Sequence, residues 1–226
     1  MDIENFFKIK PHQFKTPVIT IGMFDGVHRG HQNLISNVKN YAAKLGGKSI
    51  VVTFKEHPKE FLTGKGPLLI MPFYKRLEFF KNLGVDICLV IGLTKPSLNI
   101  PSDIFVTDHL IKQIGIKGIV IGQDFRFGHK GMGNRELLEK YSKDYKYKVI
   151  VSETLQKDQQ KISSTNIRNA VLSDNFEQAQ MMLGRPFTLV GRVVKGRQIG
   201  RTLGFPTANL ELFHDLKPNE GVYYGN

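Results

Sequence analysis

The sequence predicts an α/β protein: a Rossmann-like parallel sheet with helices on both sides, followed by a short partial β-barrel segment. Two observations predict the sheet and a third predicts the change of architecture. Five short runs of mostly apolar residues recur along the first two thirds of the chain, and strands that read as continuous apolar runs are buried on both faces. Stretches with helical apolar spacing separate these runs, which is the alternation of a parallel sheet. After Gly184-Arg-Pro186 the helical pattern stops and short strand-like pieces with turn-rich connections take over.

Residues 18–22 form the first apolar run, ending in glycine, and 25–30 read as a loop. Residues 32–45 carry Leu34, Ile35, Val38, Tyr41, Ala42 and Leu45 at helical spacing, stopped by Gly46-Gly47. Strands are expected at 49–54, 86–92, 117–122 and 147–152, and helices at 77–83, 104–114 and 135–141. Residues 164–172 predict a helix with the Ser164 hydroxyl at its cap, and 176–183 a further helix. Strand-like pieces follow at 188–194 and 209–212. A domain boundary is therefore expected at 184/185, with a large domain over 1–184 and a small β segment over 185–226.

The 226 residues are 41% hydrophobic and 23% charged, the balance of a soluble globular protein. A single cysteine, Cys88, excludes an intramolecular disulfide and points to a reducing compartment. No apolar run could span a bilayer, and the first residues lack the cationic start and apolar stretch of a secretory signal. A cytoplasmic protein is expected. The formal charge of +12 attracts anions. The lysines are scattered and no nucleic-acid module is recognisable, which favours nucleotide phosphates over nucleic acid as partners. Nothing in the sequence sets the oligomeric state.

Chemistry concentrates in Gly22-Met-Phe-Asp-Gly-Val-His-Arg-Gly-His31. His28 and His31 follow a strand and open a helix. Glycine there lets backbone approach a phosphate closely, and the helix start presents free N–H groups and partial positive charge. Two imidazoles beside it can donate to phosphate oxygens. Spacing alone leaves open a pair of hydrogen-bonded loop residues. It also leaves open a zinc pair, although no third ligand with suitable spacing stands out.

The string from Gly22 to Gln32 resembles the signature of the bacterial FAD synthetases, the bifunctional riboflavin kinase/FMN adenylyltransferases. Further segments resemble the family in order: Val52-Thr-Phe-Lys-Glu-His-Pro58, Gly122-Gln-Asp-Phe-Arg-Phe-Gly128, Ile162-Ser-Ser-Thr-Asn-Ile-Arg168, the junction Gly184-Arg-Pro-Phe187, and Gly204-Phe-Pro-Thr-Ala-Asn209. The resemblance implies a nucleotidyltransferase that uses ATP with Mg²⁺ and FMN as substrates and releases FAD. It implies His28 and His31 as catalytic. It implies Gly22, Phe24, Asp25, Gly30, Ser164, Thr165 and Arg168 around the nucleotide. Arg168 suits a triphosphate because a guanidinium contacts oxygens with several donors in one plane. For Asp25 a loop-fixing role is expected over help with magnesium. Phe54, His57, Pro58, Asp124 and Phe127 are expected to line the flavin pocket. Phe127 is preferred over Phe125, its neighbour on the same side of an extended segment.

Three departures stand out. Residues 94–101 replace a segment that in the family carries aromatic and acidic residues. Lys161 stands where the family has arginine, keeping charge without bidentate geometry. Thr207 and Asn209 match kinase residues, yet the family's kinase glutamate lies beyond Asn226. The expectation is an adenylyltransferase whose kinase half is incomplete, either naturally short or cut. Two competitors are a nucleotidyltransferase with another acceptor and a catalytically weak flavin- or nucleotide-binding regulator.

Overall fold

A computed structural model of the chain describes residues 1–153, 155–157, 160–196, 204–205 and 207–224. Six parallel strands form the central sheet: β1 (Asp2–Asn5), β2 (Val18–Ile21), β3 (Ser49–Phe54), β4 (Ile87–Ile91), β5 (Gly118–Gly122) and β6 (Lys148–Ser152). Their spatial order is β1-β4-β3-β2-β5-β6. The five expected apolar runs are β2 to β6. The edge strand β1 was not foreseen, because Asp-Ile-Glu-Asn has no apolar run; it adds to β4 with one side open.

Alternate residues of each strand serve opposite faces. Ile19, Ile21, Ile50, Val52, Leu89, Ile119 and Ile121 meet Phe6, Phe105, Leu110, Ile114 and Leu138 on one face. Val51 and Cys88 meet Ile35 and Phe80 on the other, where Val18 and Val120 also meet Val38 and Ala42. The helices are α1 (Arg29–Lys44), α2 (Pro58–Thr63), α3 (Phe73–Asn82), α4 (Lys95–Leu98), α5 (Ser102–Ile104), α6 (Arg135–Tyr145), α7 (Ser164–Leu172) and α8 (Phe176–Leu183). The expected helix over 104–114 is a π-helix, Phe105–Ile114. Its buried residues Phe105, Val106, Leu110 and Ile114 recur at the wider spacing of that form.

Helices α1 and α3 start earlier than expected, α3 at Phe73 rather than 77, and the cap of α7 shifts by one residue. Helix α1 begins at Arg29 rather than at 32, since the His28 side chain caps it by accepting from the His31 N–H. Histidine lies outside the usual set of cap residues, so the start was unreadable. Helix α7 is capped by Ser163, which accepts from the Asn166 N–H, not by Ser164. Beyond α8, Gly191–Val194 and Asn209–Leu212 form an antiparallel pair. Leu216 and Phe187 nonetheless pack with Ile70, Ile167 and Leu183 of the preceding part of the chain.

The chain leaves β2 toward β3 on one side and reaches β5 on the other, so β2 and β5 flank the topological switch point, where ligands of open α/β sheets bind. Pairing between β2 and β5 covers only Val18–Gly118 and Ile19–Ile119. The crevice therefore opens beside the end of β2. Leu89, fully buried on a central strand, tests the core: Leu89→Ala should lower unfolding free energy by about 2–5 kcal/mol in urea denaturation. Leu62→Ala on exposed α2 should stay within about 0.5 kcal/mol of the parent.

Candidate active site

The turn from β2 into α1 is backbone under strain. Phe24, Gly26 and Val27 hold φ of 53°, 81° and 39°. Such values are costly for a β-branched residue such as Val27, about 1–3 kcal/mol, and persist only where the surroundings enforce them. At Gly26 a Cβ would come within 2.9 Å of the Ile70 Cδ1.

The enforcing groups come from distant elements. The Met23 carbonyl accepts from the Arg76 guanidinium of α3 at 2.5 Å. The Asp25 carbonyl accepts from the Ser164 hydroxyl of α7 at 2.9 Å. The Gly26 carbonyl accepts from Arg185 at 2.6 Å, and the Val27 carbonyl from Gln32 at 2.8 Å and Arg185 at 3.3 Å. The Asp25 carboxylate is 2% exposed; it accepts from the Ile70 N–H and pairs with Arg168 at 2.6 Å.

At the end of this turn the His28 and His31 rings stack, with centroids 3.6 Å apart and planes 18° from parallel. Phe24 meets His31 edge-on. Burial pushes the His28 imidazole down to about 4, helped by Arg185 and then Arg168. Burial likewise holds His31 well below the usual imidazole range, with His28 and Arg76 adding to it. Both rings are therefore neutral at pH 7. Nδ1 of His28 accepts from the His31 N–H at 3.3 Å, so its proton sits on Nε2. Nδ1 of His31 is buried without a partner among the described residues. Gly30 keeps the His28 ring close: a Cβ there would sit 3.2 Å from it. Around the pair stand Arg76, Arg168 and Arg185, with the Asp25 carboxylate buried beside them. The net positive field and the donors of the α1 start suit an anion.

The sequence-expected residues divide clearly. Gly22, Phe24, Asp25, His28, Gly30, His31, Ser164 and Arg168 gather at the β2 end. Asp25 and Arg168 are bound to each other, so Arg168 has the structural task that the sequence did not give it. Its Nε also donates to the Leu68 carbonyl. Thr165 is exposed on α7. Phe54 ends β3, and His57 caps α2 by accepting from the Lys59 N–H, with Pro58 in its first turn. Asp124 is exposed and pairs with Lys161.

Phe127, expected to line the flavin pocket, sits deep. It is 8% exposed in the main core, between Phe105 at 5.8 Å and Phe125 at 5.5 Å, because Gly133 lets its ring press against that backbone. The partly buried Phe125 covers it. Thr207 and Asn209 are exposed, in the segment beyond α8. Of the Gly204-to-Asn209 motif, Pro206 lies outside the described residues, as do 197–203 before it.

Sequence reasoning missed Arg76, which is fully buried, held near 10 by burial, and bonded to the Lys55 carbonyl as well as to Met23. Its signal was an arginine at helical spacing between Phe73 and Phe80 on the inward face of α3. Arg185 was read only as part of a junction.

The FAD synthetase family model matches residues 10–166 and the riboflavin kinase model residues 183–226. The chain belongs to the FAD synthetase family. It is 40% identical over 223 residues to a bifunctional riboflavin kinase/FMN adenylyltransferase of Buchnera aphidicola subsp. Schizaphis graminum, covering 98% of this chain and 70% of that protein. The Escherichia coli K12 protein of the same name is 37% identical over 207 residues, 91% of this chain and 66% of its own. A solved Streptococcus pneumoniae structure, described as a macrolide-efflux protein, superposes with a TM-score of 0.85 at 34% identity. It covers 99% of this chain and 72% of that one. Among the described residues of this FAD synthetase family member, no helix is long and apolar enough to cross a membrane.

Neutral burial of His28 has a signed consequence for stability. The unfolded residue takes up a proton near 6.5 and the folded one near 4. The folded state is therefore at full strength above 6.5 and loses stability as pH falls from 6.5 toward 4. His28→Asn keeps a cap-competent side chain and removes the titration. Urea unfolding at pH 7.5 and pH 5 should show a drop about 2 kcal/mol larger in the parent than in this variant.

Proposed function

We propose that the chain is an FMN adenylyltransferase, moving AMP from Mg²⁺-bound ATP to FMN and releasing FAD and pyrophosphate. The observation that carries this reading is the neutral, stacked pair His28 and His31 at the start of α1, directly after the strained turn that follows β2 and amid the charge of Arg76, Arg168 and Arg185.

An oxygen of the FMN phosphate forms a bond to the α-phosphorus of ATP. The bond from that phosphorus to the bridging oxygen breaks, and pyrophosphate leaves with the electron pair. The FMN phosphate is already ionised at neutral pH, since its second pKa is about 6, and needs no strong general base. His28 donates its Nε2–H to the phosphates, and the α1 N–H groups and Arg168 add donors where charge builds up. A preset neutral donor costs no proton transfer at the moment of reaction.

Magnesium enters as part of the nucleotide substrate. Among the described residues no group of three or more His, Cys, Asp or Glu side chains could hold it, and the Asp25 carboxylate is already engaged. Triphosphate oxygens and water suit this ion, which keeps several of its waters.

Strands β3 and β5 flank β2, so Phe54, His57 and Pro58 lie on one side of the histidines and the 123–127 turn on the other. Flavin contact from that turn falls to Asp124 and Phe125 rather than to the caged Phe127. The Asp124–Lys161 pair ties the turn to the segment that leads into α7.

Incubation with ATP, Mg²⁺ and FMN, followed by chromatography, should yield FAD; its absence would refute the proposal. His28→Asn and His31→Ala should each lower kcat for FAD formation by about 100- to 1,000-fold. The Asn variant should keep its melting temperature at pH 7.5, and an unchanged kcat would remove that histidine from the chemistry.

A further inference from the structure

Arg185 stands at a boundary. It falls in the stretch matched by the riboflavin kinase model, 183–226, while the turn it grips falls in the stretch matched by the FAD synthetase model, 10–166. Its Nη2 donates to the Gly26 carbonyl at 2.6 Å, and its Nη1 is shared by the carbonyls of Val27 and Leu183 at 3.3 Å each. Gln32, the residue after His31, donates to the same two carbonyls, Val27 at 2.8 Å and Leu183 at 3.1 Å. The guanidinium also lies over the Phe79 ring, 4.0 Å from its centroid. A planar fork with five donors can hold three carbonyls from two segments at once, and a lysine ammonium cannot match that geometry.

We propose that Arg185 is a positioning residue for adenylyl transfer, so that the kinase-matching segment completes the adenylyltransferase site across the module boundary. The proposal rests on the adenylyltransferase reading above. Arg185 fixes Gly26 and Val27, and these place His28 directly after them. A misplacement of about 1 Å at such a distance from the chemistry costs about a hundredfold in rate. Arg185 also acts on His28 by its charge, alongside Arg168 from α7 and with Asp25, Arg76 and His31 close to the same turn.

The experiment compares the parent, Arg185→Met and Arg185→Lys in FAD formation from saturating FMN and ATP across pH 3.5 to 8, a range that includes the His28 titration near 4. For Arg185→Met the expected result is a kcat lowered about 10- to 100-fold, with the KM for ATP within about threefold. The acidic limb of its pH–rate profile should move to higher pH, because a cation facing His28 is gone. Arg185→Lys should lose rate as well but keep the limb in place, since the charge remains; it also serves if the Met variant does not fold. An active parent with kcat unchanged in either folded variant, or a change confined to KM, overturns the inference and leaves the adenylyltransferase reading standing. A parent that forms no FAD overturns that reading and the inference with it.

Discussion

Every backbone carbonyl from Met23 to Val27 has a donor, and the site depends on that clamp. Arg76 takes Met23, the Val27 N–H takes Phe24, Ser164 takes Asp25, and Arg185 takes Gly26 and shares Val27 with Gln32. Left free, these residues would relax out of the left-handed φ values that Phe24 and Val27 hold. The donors come from α1, α3, α7 and the segment after α8, so the turn is set by the assembled fold rather than by its own sequence. Asp25 adds the inward anchor, buried and paired with Arg168.

The clamp also sets the electrostatics. Three guanidiniums draw close to the turn because its carbonyls and one carboxylate satisfy them, and their charge then acts on the imidazoles next to it. Burial does most of the work in keeping His28 and His31 neutral, and the arginines reinforce it. One arrangement therefore serves stability and chemistry. It holds a strained turn, caps α1 through the His28 Nδ1, and keeps the imidazole proton on Nε2.

The parallel sheet was legible because β2 to β5 are apolar runs buried on both faces and β6 is a partly buried apolar run, and such runs and helical spacing are local properties of sequence. The histidine pair was legible for the same reason, being a short string after a strand. What escaped was set by contacts far apart in the chain. Strand β1 exists because β4 offers an edge, not because Asp-Ile-Glu-Asn favours a strand. Helix α1 begins early because a histidine does the work of Ser or Asp. The pairing of Arg168 with Asp25 was hidden, since the two lie far apart in sequence. Phe125 and Phe127 look equivalent by alternation, and only the Gly133 backbone decides which is buried. A boundary was expected at 184/185 from the change of pattern, yet Arg185 and Leu216 pack back across it.

The account stands on the histidines being neutral donors held in a cationic pocket, and their protonation can be read directly. Long-range ¹H–¹⁵N correlation of imidazole-labelled protein, titrated from pH 8 to pH 4.5, follows each ring through its nitrogen shifts. His28 should stay neutral, with its proton on Nε2, until pH approaches 4, and His31 should also remain neutral at pH 6. An imidazolium at either position above pH 6, or a His28 tautomer with its proton on Nδ1, would contradict this.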